Sequence, residues 1–407
     1  MRKFKVLIKQ LLSKTGALDL YVKHFYIHLT VFLYKIKHAN VIVSENQFIF
    51  ECFRGKSATD SPYSLFRELQ ANHPGATFIW VFSDPEHPDV QKLSLDKNTQ
   101  IVKRGTKEYF NAYASSQYWI VNCRLPYRLM PSKKQTVIQC WHGTPLKKLG
   151  LDIQVDNQPT SSLQAMHFAY KWEGKRCDYF LSPSPYASEC FITSFGLTRE
   201  QILEVGYPRN DDLVNYKNDK TYHDKIKEDL GVALDKKVIL YAPTFRDDDF
   251  VAGKHVAMNK LDNENFKTSF GSEVQFLFRG HYFTQVDQPK DSFFINVSDY
   301  PRINDLLLIA DELITDYSSL FFDYLVLNRP VYFYMYDKGK YLNNLRGTYL
   351  NVETEMPGPV TEDQDELIEI LKNQTKPESQ SDIFNKVYNP HEQGNSAQCV
   401  IQKFLGK

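Results

Sequence analysis

Five runs in this chain put ionisable or hydroxyl side chains directly after β-rich segments. In WHGTPLKKLG (141–150), His142 stands where strand gives way to loop. A histidine near its ordinary pKa can take a hydroxyl proton at neutral pH. Gly143 lets backbone approach a ligand, and Thr144 followed by Pro145 imposes a turn, leading to Leu146. Lys147 and Lys148 would suit a phosphate, although exposed lysines often do nothing specific, and a histidine so placed can equally serve structure. In FRGHYF (278–283), Arg279 offers a planar fork of donors for phosphate oxygens, and His281 could donate a proton or hydrogen bond to one. An ion pair suits that triplet as well. In ITDYSSLFFDYL (314–325), Ser318 and Ser319 would stand at a helix N-terminus, where free N–H groups attract anions, with Asp323 a turn later. The plain alternative is a serine N-cap. Finally, GYPRND (206–211) and YAPTFRDDD (241–249) place Arg209 and Arg246 beside turns at strand ends. The acids Asp247 to Asp249 could hold a divalent metal or form a solvated loop.

The elements that must position these runs alternate from residue 39 onward. VIVSENQFIFECF (42–53), TFIWVF (77–82), QYWIVN (117–122), TVIQCW (136–141) and DYFLS (178–182) are expected strands, rich in Val, Ile, Phe and Tyr. PYSLFRELQAN (62–72) and TKEYFNAYAS (106–115) are expected helices. Near residue 205 the series restarts with ILEVG, VILYAPT (238–244), VQFLFRG (274–280), FFINVS, ELITD (312–316) and PVYFYM (330–335). EDQDELIEILKN (362–373) is an expected helix, followed by a polar tail region. Such alternation predicts an α/β protein with two doubly wound parallel sheets. Ligands then bind beyond the carboxyl ends of the strands, where these five runs lie. The expected division is an N-terminal segment at 1–38, α/β domains at 39–204 and 205–375, and a C-terminal helical tail at 376–407.

Forty-nine basic residues balance forty-nine acidic ones, so no global field marks a nucleic-acid binder. None of the six cysteines forms a CxxC pair or has zinc-finger spacing, which predicts buried thiols in a reducing, cytoplasmic compartment. Charge is uneven only at the start: residues 1–44 hold eight basic side chains against Asp19. Phe4, Leu7, Ile8, Leu11 and Leu12 recur at helical spacing there, with Arg2 and Lys9 opposite. A basic amphipathic helix suits an anionic bilayer surface, though it could also pack on its own domain. The apolar stretch from His24 to Tyr34 is too short to span a membrane.

In order and spacing, HGTPLKKLG, GYPRND, APTFR, RGH, TDYSS, FFDY and RGTY (346–349), with FECFRGKSATDSP (50–62), resemble the CDP-glycerol glycerophosphotransferase family of teichoic acid and capsule synthesis. The resemblance implies a GT-B-like fold, two doubly wound domains facing across a cleft, with CDP-glycerol bound mainly by the second. It assigns the donor pocket to His142, Gly143, Thr144, Pro145, Leu146, Arg209, Pro243, Thr244, Arg279, Gly280, His281, Ser318, Ser319 and Asp323. It implies attack of an acceptor hydroxyl on the β-phosphorus of CDP-glycerol with CMP leaving. His142 would be the base, and His281 would assist at the phosphates. The implied acceptor is a lipid-linked saccharide or a poly(polyol phosphate), met by a peripheral protein on the cytoplasmic face of the membrane. CDP-ribitol as donor, a nucleotide-sugar glycosyltransferase, and the choice among priming, extension and polymerisation stay open.

Overall fold

A computed structural model describes residues 15–155, 161–244, 250–251, 254–255, 260–280, 293–339, 347–373 and 378–406. The chain divides into two compact units. One comprises Met1–His142, Lys148–Arg209 and Asn395–Lys407; the other comprises Gly143–Lys147 and Asn210–Gly394.

Among the described residues, the first element of the first unit is α1 (Ala17–Lys37). The unit continues with β1 (Ser44–Glu51), α2 (Asp60–Asn72), β2 (Thr77–Phe82), α3 (Pro88–Leu93), β3 (Thr99–Lys103), α4 (Lys107–Ser115), β4 (Ser116–Val121), β5 (Thr136–Gln139), α5 (Leu163–Arg176), β6 (Tyr179–Ser182), α6 (Pro185–Phe195) and β7 (Ile202–Glu204). The strands form one parallel sheet in the order β3-β2-β1-β4-β5-β6-β7. Central strands such as TFIWVF and SQYWIV are apolar almost throughout because helices cover both faces. On one face Phe50 stacks on Trp80 at 4.9 Å between ring centroids. On the other, Trp119 meets Tyr113 edge-on at 4.8 Å.

Several ionisable groups lie inside this unit, among them Glu51 and the Glu173–Arg176 pair. Glu51, fully buried at the end of β1, accepts from Arg104 Nε at 2.7 Å, Tyr109 OH at 3.0 Å and Tyr113 OH at 2.8 Å. A buried carboxylate costs several kcal/mol unless such partners surround it. These three pin the end of β1, where the loop at 52–59 departs.

The second unit holds α7 (Asp211–Asn215), α8 (Lys220–Asp229), β8 (Lys237–Tyr241), the antiparallel pair β9 (Phe250–Val251) and β10 (Lys254–His255), α9 (Asn263–Phe270), β11 (Val274–Phe278) and β12 (Phe294–Asn296). After these come α10 (Ile303–Ile309), β13 (Glu312–Thr315), α11 (Leu320–Leu325), β14 (Val331–Tyr334), β15 (Val360–Thr361), α12 (Gln364–Lys372) and α13 (Glu378–Tyr388). Its parallel sheet has the order β12-β11-β8-β13-β14-β15.

Two features depart from the sequence reading. The expected tail at 376–407 is not one body: α14 (Ser396–Leu405) belongs to the first unit, where Val400, Ile401 and Phe404 are buried in the core beside Phe48. The edge strand β3 was not expected, because TQIVK is half-exposed and carries no strong β pattern. The apolar stretch from His24 to Tyr34 lies inside the longer α1. The amphipathic pattern at residues 2–14 falls outside the described residues. No helix among the described residues is long and apolar enough to cross a membrane.

Candidate active site

In each sheet the strand order reverses once, between β1 and β4 in the first and between β8 and β13 in the second. Loops leaving the carboxyl ends of the strands diverge at such a point and leave a crevice suited to a ligand.

At the first switch point, the loop after β1 carries Phe53 and Arg54, the loop after β4 begins with Asn122, and the neighbouring β5 leads through Trp141 to His142. The Asn122 side chain accepts from Phe53 N–H at 2.8 Å, tying two of these loops together. Its backbone carbonyl lies 2.8 Å from His142 Nδ1. A carbonyl only accepts, so Nδ1 carries the proton and Nε2 keeps its lone pair. Nε2 has no hydrogen-bond partner among the described residues. His142 is exposed, and its ring stacks on Trp141 at 4.2 Å and meets Phe53 at 6.2 Å. Its pKa falls below the ordinary histidine value, first because protein groups displace water from the ring. The Asn122 hydrogen bond and the Asp60 carboxylate act to raise it, and the positive charges of Arg209 and Arg124 act to lower it. The net effect favours a neutral proton acceptor.

Backbone strain gathers here. Phe53, Arg54, Asp60 and Trp141 have φ of 46°, 61°, 63° and 50°, a region that costs a residue with a side chain of order 1–3 kcal/mol. The other two such residues among those described, Asn46 and Asn328, are asparagines, which tolerate it. Asp60 opens α2 and pairs with the nearly buried Arg209 at 3.5 Å. Arg209 N–H also donates to Ser61 Oγ, and its guanidinium lies 4.4 Å from the centre of the Tyr207 ring. The arginine of GYPRND is therefore fixed beside the loop from FECFRGKSATDSP.

At the second switch point, Pro243 and Thr244 follow β8, while Asp316, Ser318 and Ser319 follow β13. Asp316 Oδ1 accepts from both the N–H and the hydroxyl of Thr244, at 2.8 and 2.6 Å, joining the two loops. Ser319 is the N-cap of α11 but makes no side-chain cap bond, so the plain N-cap reading does not describe it. Ser318 Oγ instead accepts from Leu320 N–H at 3.3 Å. Gly143 packs onto this turn. A Cβ at Gly143 would come 2.7 Å from Ser319 Oγ, and its φ of 153° suits only glycine. Thr144 is 1% exposed, and its hydroxyl has no partner among the described residues. Leaving it so costs about 1–3 kcal/mol, which a ligand could recover. Pro145 and Leu146 are buried. Leu146 accepts from Tyr349 N–H at 2.8 Å and Lys147 bridges to Thr348, so the HGTPLKK run pairs with the end of RGTY.

Three of the expected donor residues are engaged by protein groups. Arg279 Nη1 donates to the carbonyls of Val297 and Tyr300 at 3.2 and 2.8 Å, a structural duty the ligand reading did not foresee. Gly280 N–H donates to Ser298 Oγ at 2.8 Å. Asp323 is 8% exposed and accepts from Asn210, whose amide also donates to Glu392. His281, Arg246, Arg346 and the acids 247–249 lie outside the described residues. Among those described, no three His, Cys, Asp or Glu side chains gather as metal ligands.

The sequence reading missed Asn122, Asp60, Arg54 and Arg124. A polar residue closing an apolar strand was the available signal for Asn122. The other three became visible only once the strand order set their loops side by side.

The sequence profile described as CDP-Glycerol:Poly(glycerophosphate) glycerophosphotransferase matches residues 32–406. The teichoic acid poly(glycerol phosphate) polymerase of Staphylococcus epidermidis is 40% identical over 352 residues, 86% of this chain and 48% of the polymerase, so the chain spans about half of that relative. The teichoic acid glycerol-phosphate transferase of Staphylococcus aureus is 38% identical over 88% of this chain and 92% of its own length. The solved wall teichoic acid polymerase TagF superposes with a TM-score of 0.84 at 35% identity, covering 100% of this chain and 97% of that one. The two-sheet α/β architecture is accordingly GT-B-like. With the profile running through both switch points and to the end of α14, the chain belongs to the CDP-glycerol:poly(glycerophosphate) glycerophosphotransferase family.

Proposed function

We propose that this protein transfers glycerol phosphate from CDP-glycerol to a hydroxyl of a polyol phosphate acceptor, releasing CMP, in teichoic acid or capsule synthesis. The observation that carries the reading is the His142–Gly143 dipeptide. One residue holds an open proton acceptor, and the next presses its backbone onto Ser319. In this reading the acceptor O–H gives its proton to His142 Nε2 as its oxygen attacks the β-phosphorus. The new O–P bond forms while the P–O bond to CMP breaks, and CMP takes the departing electron pair. Thr144, Ser318, Ser319 and the amide of Gly143 stand for the donor phosphates, with Thr244 and Gly280 fixed behind them by Asp316 and Ser298. Arg209, Arg279 and His281 offset the developing negative charge, the main demand of phosphoryl transfer.

The finer reading is a lipid-linked acceptor met at an anionic membrane surface, on its cytoplasmic side. Support comes from α1, which is apolar on two opposite faces. Ile27, Val31 and Tyr34 are buried, whereas Leu18, Tyr21, Val22, Phe25, Leu29, Phe32, Leu33 and Ile36 form an outward stripe. Phe25 and Phe32 are 69% and 60% exposed, and Lys35 and Lys37 flank the end of the stripe. A continuous exposed apolar face beside lysines suits a lipid interface.

The testing experiment incubates purified protein with CDP-glycerol, CDP-ribitol or a nucleotide sugar plus a glycerol phosphate acceptor, and identifies the released nucleotide. CMP from CDP-glycerol is expected. CMP from CDP-ribitol alone would move the reading to ribitol phosphate, and a nucleoside diphosphate from the sugar donor would make the protein a glycosyltransferase.

A further inference from the structure

The second sheet also has an amino end, opposite the switch-point loops. There a recess of about 250 Å³ opens among the residues that precede the strands: Leu234 before β8, Asp311 before β13 and Arg329 before β14, together with Lys217, Lys220 and Lys227 around α8. Asn218, His223, Asp224, Leu308 and Ile309 complete its walls. The volume lies below the range of clefts that enclose drug-sized ligands, roughly 300–1,000 Å³, so it suits a group smaller than a nucleotide.

Its charges differ in how they are used. Arg329 Nη1 donates to the carbonyls of Leu308 and Ala310, both at 2.6 Å, closing the end of α10. Lys227 Nζ donates to the carbonyls of Leu234 and Lys236 at 3.3 and 3.0 Å. These cations are held in place by neutral groups, which leave their charge unbalanced. Of the two acids on the wall, Asp311 Oδ2 is engaged by Val238 N–H at 2.8 Å. His223 Nε2 is bound to the Tyr216 carbonyl. The side chains of Lys217 and Lys220 make no hydrogen bond or ion pair among the described residues. Lys217 is half-buried, and its pKa is lowered, chiefly by lost water and next by the charge of Arg329, with Asp382 acting the other way. Four cations face two acids around an apolar floor, an arrangement that an anion would stabilise.

We infer that this recess is a second phosphate site, separate from the donor residues, which takes a phosphomonoester or phosphodiester carrying a small polyol. Arg329 and Lys227 form its fixed side, and the side chains of Lys217 and Lys220 supply the charge that meets the anion. The ligand could be free phosphate or one unit of a poly(glycerol phosphate) chain. Only the second source rests on the proposed transfer activity.

The test uses the full chain with saturating CMP to occupy the donor residues. Inorganic phosphate and a short glycerol phosphate oligomer are titrated calorimetrically at low and high salt. Wild type is expected to bind at least one probe, and binding should weaken as salt rises. Lys217→Ala/Lys220→Ala should weaken it about tenfold or more, the order expected from removing two partly exposed cations. Thermal stability and CDP-glycerol affinity should not change, since neither lysine is tied into the fold or the donor residues. Binding of the oligomer alone identifies a polymer segment as the ligand, and equal binding of both probes identifies the phosphate group itself. Failure of both probes to bind wild type, or equal binding by the double variant, overturns the inference. A protein that binds the probes but ignores CDP-glycerol would instead count against the transfer reading.

Discussion

The carbonyl of Asn122 lies 2.8 Å from Nδ1 of His142, and that one bond decides which ring nitrogen can take a proton. The same asparagine holds Phe53 N–H through its side chain. A single residue at the end of β4 thus fixes both the tautomer of the histidine and the loop that faces it.

The depressed pKa of His142 sets the pH dependence. A base must be neutral to act, and a lowered pKa keeps it neutral to lower pH than an ordinary histidine of about 6.5. The acid limb of kcat/KM is expected below that value. Asp60→Asn removes a negative charge that raises this pKa, so the limb should move lower still. A limb that moves upward in this variant would contradict the electrostatic assignment.

Gly143→Ala introduces a Cβ 2.7 Å from Ser319 Oγ at a φ that disfavours any side chain. Overpacking of this kind costs about 1–3 kcal/mol, and backbone strain adds to it. Transfer should fall at least tenfold. Ser319→Gly in the same chain should recover part of the lost thermal stability by clearing the clash. No recovery would mean that backbone strain alone accounts for the glycine.

Ser319 and Arg279 should respond differently to truncation. The Ser319 hydroxyl makes no cap bond, so Ser319→Ala should weaken CDP-glycerol binding while leaving the melting temperature unchanged. Arg279→Ala frees the carbonyls of Val297 and Tyr300 and should cost about 1–3 kcal/mol of stability whatever it does to the donor. Denaturation curves beside donor titrations separate the two effects.

Glu51→Ala strips Arg104, Tyr109 and Tyr113 of their shared acceptor. Breaking a buried pair from one side costs about 3–5 kcal/mol, and the 52–59 loop should loosen with it. Urea denaturation reads the loss directly; a change below about 1 kcal/mol would show that the cluster does not anchor β1.

Much of this architecture was legible because apolar runs such as TFIWVF and VQFLF suit only strands buried on both faces. The turn-forming residues after them mark the carboxyl ends where ligands bind. His142, Gly143 and Ser319 were found by that logic. Long-range placement was not legible. Nothing in SAQCVIQKFL says that this last helix packs beside Phe48, some 350 residues earlier in the chain. The structural role of Arg279 depends on carbonyls at 297 and 300, which become neighbours only when β11 pairs with β12. Glu51 and Asn122 carried a signal that went unused, since each is a polar residue closing an apolar strand, and such a residue must find partners.

The most direct test of the account is turnover by His142→Ala, with CDP-glycerol affinity measured on the same preparation. Loss of a general base typically lowers the rate by about two to four orders of magnitude. The account predicts a fall in kcat of that size, with donor affinity within a few-fold of wild type. Turnover near the wild-type rate would contradict it and remove His142 from the proton transfer.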